Sequence, residues 1–318
     1  MSRLFVLVLF LSPLLSPAQK VVETYYDYSW QVTNKQDASF WGVARKTDSG
    51  WHKKVYYLRS NTTYLEGLYN DVEGAIPDGY VSWYYSNGTL KSTGKYQKGK
   101  KAGLWLSYYA DGIIQDSIVY NKGERQAAKS WFPNGVLKDT MVLDEDGNGD
   151  FISWYDNGRL SSAGRVIKFY YHADQWKYYH KNGKLAANLA YNHRTDKIMD
   201  SRYFDESGTV GKALKDRDAS FPGGMTAWNQ YLEKNVVIPA GFNLEGTDKA
   251  TVVVHAFINT EGLITGAYVK VPLHPAFDSA VLKAINDSPA WIPAVHHNRK
   301  IYDEIDVPFS FIRLQQAK

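Results

Sequence analysis

Glycines that follow a short polar residue recur at Gly88, Gly112, Gly135, Gly158, Gly183 and Gly208, at intervals of 24, 23, 23, 25 and 25 residues. Each is preceded by an aromatic pair: Tyr84-Tyr85, Tyr108-Tyr109, Trp131-Phe132, Trp154-Tyr155, Tyr178-Tyr179 and Tyr203-Phe204. Each is followed two residues later by an aliphatic, from Leu90 and Ile114 to Leu185 and Val210. A period of this length confines the region to a stacked array in which every copy completes its core against its neighbours. Asn-Gly or Asp-Gly supplies the positive φ of a hairpin turn. Adjacent aromatics on an extended chain point to opposite faces, so each copy places one ring on either side of a sheet. The 24 Tyr, 13 Phe and 10 Trp of the 318 residues fit β-structure of this kind. Tyr56-Tyr57 reads as a worn first copy. The expected division is an N-terminal β cap over 19–60, with Trp30, Trp41 and Trp51, and β-hairpin repeats over 61–212.

Between copies lies a second kind of turn, as in Tyr96-Gln97-Lys98-Gly99-Lys100-Lys101-Ala102-Gly103-Leu104-Trp105. Followed by Tyr108-Tyr109-Ala110-Asp111-Gly112, this connection resembles the MORN-type repeat of YwqK-like proteins. The resemblance spans roughly residues 51–210, and copies after residue 120 lose the paired glycines of the connection. It implies an interaction scaffold with no catalytic residues to carry over. The aromatic rows have two readings, the core of a thin sheet or a stacking platform for sugars. The Lys98, Lys100 and Lys101 run reads as a solvated turn or a contact for lipid head groups. One connection, Asp144-Glu145-Asp146-Gly147-Asn148-Gly149-Asp150, alternates oxygen-bearing side chains like the start of a calcium loop. Asp144, Asp146, Asn148 and Asp150 are its candidate ligands, but Tyr155 stands at position twelve, where a bidentate Glu is needed. An acidic hairpin turn is the competing reading.

After a linker at 213–220 the period vanishes. Phe221-Pro222-Gly223-Gly224 opens a helix carrying Met225, Trp228, Tyr231 and Leu232. Thr251–Ile258 reads as a strand with Val252, Val254, Ala256 and Ile258 on one face, turned by Glu261-Gly262 into a second strand, Leu263–Val271. Phe277, Val281, Leu282 and Ile285 mark a helix between Pro275 and Pro289. A last strand runs from about Ile301 to Leu314, and Pro308 inside it implies an edge or a bulge. The expected fold class is therefore a mainly β array of antiparallel hairpins followed by a small α+β domain ordered α-β-β-α-β.

Residues 221–318 in this order resemble the TonB C-terminal domain. Phe221-Pro222-Gly223-Gly224, Pro289-Ala290-Trp291-Ile292-Pro293 and Val307-Pro308-Phe309-Ser310-Phe311 carry the resemblance. Ala250, Ala256 and Asn298-Arg299-Lys300 depart from it, standing where Gly, Phe and Gly-Lys-Pro are usual. The resemblance implies a closing strand to which a partner's peptide adds by β-augmentation. Glu304, Ile305, Asp306, Val307, Phe309 and Phe311 form the candidate peptide-binding edge, and Asn235, Val236, Ile238 and Pro239 the candidate receptor-facing segment. The competing reading is that Val307, Phe309 and Phe311 pack the core and the edge is capped.

Arg3, the apolar run Leu4–Leu11 and Ser16-Pro17-Ala18 fit a secretory signal peptide over 1–18, cleaved between Ala18 and Gln19. The run is shorter than the ~20 residues of a bilayer span, so no span is expected after processing. The chain has no cysteine, which excludes disulfides, thiolate metal sites and a cysteine nucleophile. A formal charge of +4 gives no basis for nucleic-acid binding. No nucleophile elbow, zinc-binding helix, phosphate loop or dinucleotide fingerprint is present, and the eight histidines are scattered. The expectation is a periplasmic or otherwise exported, cofactor-free, non-enzymatic protein that binds a protein partner, such as a TonB-dependent outer-membrane receptor. The alternatives are an energy transducer of TonB-dependent transmembrane transport with an uncleaved anchor, and a glycan-binding or glycan-active protein.

Overall fold

The computed structural model describes residues 20–237 and 249–312. The proposed cleavage site at Ala18 and Gln19, and Ile238 and Pro239 of the proposed receptor-facing segment, lie outside the described residues. The array begins with β1 (Val21–Tyr26), β2 (Phe40–Thr47), β3 (Gly50–Tyr57), β4 (Thr63–Tyr69) and β5 (Pro77–Tyr84). It continues with β6 (Leu90–Gln97), β7 (Lys100–Tyr108), β8 (Ile114–Asn121), β9 (Glu124–Trp131), β10 (Leu137–Leu143) and β11 (Gly149–Trp154). β12 (Leu160–Ile167), β13 (Tyr171–Tyr179), β14 (Leu185–Tyr191), β15 (Ile198–Phe204) and β16 (Val210–Gly211) complete it. Every strand pairs with its sequence neighbours, so the whole forms one sixteen-stranded antiparallel sheet. The expected cap is thus the first three strands of that sheet.

Two turn types alternate along the array. At the aromatic end the turn is a three-residue loop: Tyr85 N–H donates to the Thr89 carbonyl at 2.9 Å and Gly88 N–H to the Tyr85 carbonyl at 2.9 Å. Only the glycine is left-handed, with φ 86° at Gly88, and Asn87 is not. At the opposite end Lys98 and Gly99, with φ 48° and 79°, make a two-residue turn of the primed type. The frame of the first turn explains a detail of the repeat. The residue entering it is Tyr85, Tyr109, Phe132 and Tyr155 in four copies, but His180 and Asp205 in the last two. There the aromatic pair sits one residue earlier.

On the face carrying Trp83 and Tyr85, later called the inner face, large rings lie flat over glycines of the adjacent strand. A Cβ on Gly94 would meet the Trp105 ring at 2.2 Å, and one on Gly164 the Trp176 ring at 2.1 Å. The two indole N–H groups donate to the carbonyls of Lys95 and Arg165 at 3.1 and 2.9 Å. Both tryptophans are almost fully buried, at 4% and 3% exposure.

The C-terminal module has α1 (Gly224–Asn235), β17 (Lys249–Ile258), β18 (Ile264–Val271) and α2 (Pro275–Asn286). A short hairpin, β19 (Ala294–His296) and β20 (Arg299–Ile301), precedes the closing strand β21 (Asp303–Ile312). The expected order holds with that hairpin added. The three long strands are ordered β18-β17-β21. Val252, Val254, Ala256 and Ile258 are fully buried under the two helices, as their alternation predicts. Trp291 packs edge-on against Trp228 with centroids 4.9 Å apart. Its backbone passes so close to Gly262 that a Cβ there would meet the Trp291 carbonyl at 1.9 Å. The linker residues are tied down: Arg217 and Ser220 bridge to Val295 and Ile292. Among the described residues no helix is long and apolar enough to cross a membrane.

Gly94→Ala and Gly164→Ala are each expected to destabilise the array by about 1–3 kcal/mol, because the indole ring above must move. Urea denaturation followed by tryptophan fluorescence measures this; unchanged midpoints would show that the rings are loosely held.

Candidate functional site

The tyrosine or histidine entering an aromatic-end turn reaches forward one repeat. The hydroxyl of Tyr85 donates to the Tyr108 carbonyl at 2.7 Å, that of Tyr109 to Trp131 at 2.7 Å, and that of Tyr155 to Tyr179 at 2.6 Å. Tyr57 opens the series, donating to the Tyr84 carbonyl at 3.1 Å, and His180 Nε2 contacts the Phe204 carbonyl at 3.1 Å. Burial pushes the Tyr85 hydroxyl up to about 12 and also raises Tyr57 and Tyr109, so these groups remain donors. The turn asparagines do the same at the surface: the amides of Asn87, Asn134, Asn157 and Asn182 donate to Ala110, Asp156, Lys181 and Glu206. Asp111, which has no amide donor, keeps only the local bond to Ile113 N–H.

Just after five of the six turns the pairing slips by one residue, leaving Lys91, Gln115, Lys138, Ser161 and Ala186 as bulges three residues beyond the turn glycine. Bulges re-aim side chains. Several of these, with the turn-entry rings, seat the C-terminal module. Lys91 lies over the rings of Tyr85 and Tyr268, and Ser161 receives a hydrogen bond from Arg299. Tyr85 packs against Tyr268 at 4.7 Å, Tyr109 against Phe257 at 5.8 Å and Phe132 against Tyr302 at 5.0 Å. Arg299 covers the Tyr178 ring, and His297 stacks on it at 4.1 Å. Lys181 binds Asp156 at 2.8 Å and reaches across to Glu261 at 2.9 Å. The aromatic row facing the module is therefore core and seat together, while the opposite face carries exposed rings such as Tyr80, at 70%.

The docked sheet has two unlike edges. β18 lies against the turn tips, where the Ser86 hydroxyl donates to the Val269 carbonyl at 2.9 Å. β21 is the other edge: no described strand pairs with its outer side, where the Asp303 carboxylate accepts from Glu304 N–H at 2.9 Å. Its register with β17 runs unbroken from Ile312 to Asp303. Pro308 is thus an edge proline and not a bulge, and its missing N–H falls on the outer side. Of the candidate edge residues, Val307 and Phe311 are buried and Ile305 and Phe309 pack beside them in the core. Glu304 and Asp306 point to the array side. His255 bridges them, with Nδ1 at 2.9 Å from Asp306 and Nε2 at 3.5 Å from Glu304. The His255 contact holds the Glu304 carboxyl below its usual range. Asp306 is also held low: Lys270 and His255 outweigh the upward push of burial.

Of the receptor-facing candidates, Val236 is buried in the core, and the Asn235 amide donates back to the Tyr231 carbonyl at 2.7 Å. Asp144, Asp146, Asn148 and Asp150 lie at the β10–β11 turn. There Asp144 accepts from the N–H groups of Asp146 and Asn148 at 3.0 and 2.8 Å, and those bonds hold its carboxyl low. Among the described residues no group of three or more His, Asp or Glu side chains is arranged to hold a metal ion.

A row of the inner face escaped the sequence reading. Through direct cross-strand pairs Ser92, Ser107, Asp116, Ser130, Asp139, Ser153 and Ser162 follow one another across β6 to β12, ending against Tyr178. Ser130 donates to Asp139 at 3.0 Å, and Ser153 and Ser162 share a bond of 2.7 Å. Its signal was present: a serine precedes the aromatic pair at 107, 130 and 153, and Ser or Asp follows the aliphatic by two at 92, 116, 139 and 162. Burial raises the carboxyls of both Asp116 and Asp139.

Stacked hairpins bound turn to turn define a repeat protein. The repeat is of MORN type: a family model described as a MORN repeat variant matches residues 77–98, the hairpin of β5 and β6. No curated protein matches the chain.

Burial lowers the His297 imidazole from 6.5 to about 4. Between those values the unfolded chain takes up the proton first, so stability is complete above pH 6.5 and is lost as pH falls toward 4. Because the ring is partly exposed and solvent screens it, the expected loss is on the order of 1–2 kcal/mol at pH 4. Urea titrations at pH 7 and pH 4.5 should show a smaller difference for His297→Gln than for the unmodified chain.

Proposed function

We propose that this chain is a non-enzymatic, exported cell-envelope protein that binds a protein partner. In this reading the C-terminal module accepts an extended peptide of the partner by strand addition to β21, and the MORN-type array is its scaffold. The TonB-like pattern of residues 221–318 supports an envelope role and a partner such as an outer-membrane receptor, and the leader-like start supports export. The observation that carries the reading is the sheet order. β21 is the edge that the array leaves open, while the array itself engages β18. An open edge offers main-chain donors and acceptors for affinity, and the alternation of side chains beside it offers selectivity.

Because Pro308 places its missing N–H outward, the N–H groups of Asp306 and Ser310, two residues to either side, face outward too. Peptides selected on the immobilised full chain should slow hydrogen exchange at Asp306 and Ser310. Ser310→Pro removes an outward donor and keeps the backbone ladder to β17, losing the side-chain bond between Ser310 and Thr251 at 3.0 Å. It is expected to weaken binding at least tenfold with an unchanged circular dichroism spectrum, whereas Ser310→Ala, which loses that side-chain bond alone, should bind normally. Binding that is indifferent to Ser310→Pro and protects other residues would exclude strand addition here. N-terminal sequencing of the protein from fractionated cells should find Gln19 first, in the envelope or periplasmic fraction.

A further inference from the structure

The position of β21 over the array bears on what its partner strand must look like. The three-stranded sheet crosses the inner face from turn tips to strand interiors. β18 touches Ser86 at a tip, β17 lies over the Tyr109 ring, and Glu304 of β21 interacts electrostatically with Asp116 and Lys138 beyond it. The open edge therefore faces the serine–aspartate ladder. The long axis of β17 and β18 follows the array: Val253 and Val271 pack with Val55 and Val81, whereas Glu261 reaches Lys181. A strand added to β21 would thus run parallel to the ladder, which extends roughly 30 Å over seven strands.

Strand addition copies the alternation of β21. Side chains on one side would continue the apolar surface of Ile305 and Phe309, and those on the other side would point at the ladder. Asp116 and Asp139 meet them there. Both are partly buried, the Ser130 hydroxyl between them donates to Asp139, and neither has an ion pair among the described residues. Of the cations nearby, Lys270 is taken by Asp306 and Lys91 lies over two rings; Lys138 and Arg125 act on both ladder carboxylates from a distance, and Lys138 is shared with Glu304. A partly buried carboxylate without a direct ion pair is costly even with cations at a distance, and a cation brought into contact by the partner offsets that cost.

We propose that the β21 edge and the ladder form one groove for a cationic strand, in which apolar residues alternate with lysine or arginine and the basic side chains are received by Asp116 and Asp139. The inference rests on strand addition to β21 and adds the chemistry of the partner. Same-side residues of a strand recur about every 7 Å, and the two aspartates stand two strand spacings apart, roughly 10 Å. The long stem of a lysine spans the difference.

The test uses the full chain and three ten-residue peptides, (Val-Lys)5, (Val-Gln)5 and (Val-Glu)5, with affinity and hydrogen exchange read together. The expected order is Lys before Gln before Glu, with at least a fivefold gap at each step and protection of Asp306 and Ser310. In the Asp116→Asn/Asp139→Asn double variant the Lys peptide should fall to the affinity of the Gln peptide, with the melting temperature confirming the fold. If the Gln peptide binds as tightly as the Lys peptide and protects the same amides, strand addition stands and the cationic preference is overturned. If the double variant keeps the Lys advantage, the aspartates are not its source and the proposal fails. If none of the three protects β21, strand addition itself fails, and the groove with it.

Discussion

A buried tyrosine hydroxyl donated to a carbonyl one repeat further on is the interaction on which the array depends. A single hairpin has two faces and too little surface to bury, so it is stable only against neighbours. Strand pairing alone would allow slippage, because any flat ladder can shift by two residues. The bonds from Tyr85 to Tyr108, Tyr109 to Trp131 and Tyr155 to Tyr179 tie each turn to the next and set the register of successive copies. Where the ring has no hydroxyl, at Phe132, the amide of Asn134 still makes the surface bond to Asp156. Where the ring is replaced, His180 supplies a ring nitrogen at the same place.

The same turns do a second job. A bulge three residues beyond five of the six glycines re-aims one more side chain, and the C-terminal module rests on two of these, Lys91 and Ser161. Three neighbouring residues of the C-terminal module, Asn298, Arg299 and Lys300, which stand outside the sequence pattern that residues 221–318 resemble, touch the array or the segment that follows it. Asn298 bonds to the backbone of Lys212 and Leu214, Arg299 binds Ser161 and covers Tyr178, and the Lys300 carbonyl accepts from Tyr155. These departures make physical sense as docking contacts. His297 and Asn298 form a tight turn with φ 51° and 62°, which presents the His297 ring flat to Tyr178.

Docking makes the two edges of the small sheet inequivalent. An exposed strand edge is a hazard that proteins ordinarily blunt. Here the array engages β18, and β21 carries Pro308 and the acidic pair Glu304 and Asp306, which His255 bridges and Lys270 pairs. These features discourage indiscriminate pairing and leave outward donors on either side of the proline. Beside that edge runs a polar strip bounded by buried tryptophans. The rings of Trp105 and Trp176 lie flat on glycines inside the array, so the aromatic content of this face is spent on packing.

Local chemistry made much of this legible in the chain itself. The period of the glycines, the opposed rings of each aromatic pair and the buried alternation from Val252 to Ile258 follow from turn geometry and from the two-residue repeat of a strand. They need no knowledge of distant contacts. The edge character of the closing strand was readable from Pro308, because proline cannot donate to a central ladder. What stayed hidden depends on residues far apart in the sequence. That Val236 faces inward, that β19 and β20 form an extra hairpin, and that Asn87 bonds outward to the next repeat are set by neighbours no local pattern names. The serine–aspartate ladder shows the division most clearly. Its residues recur at fixed places in every copy, yet only register across seven strands brings them into one row. Only the docking of the C-terminal helices and strands on the array lays an open strand edge beside that row.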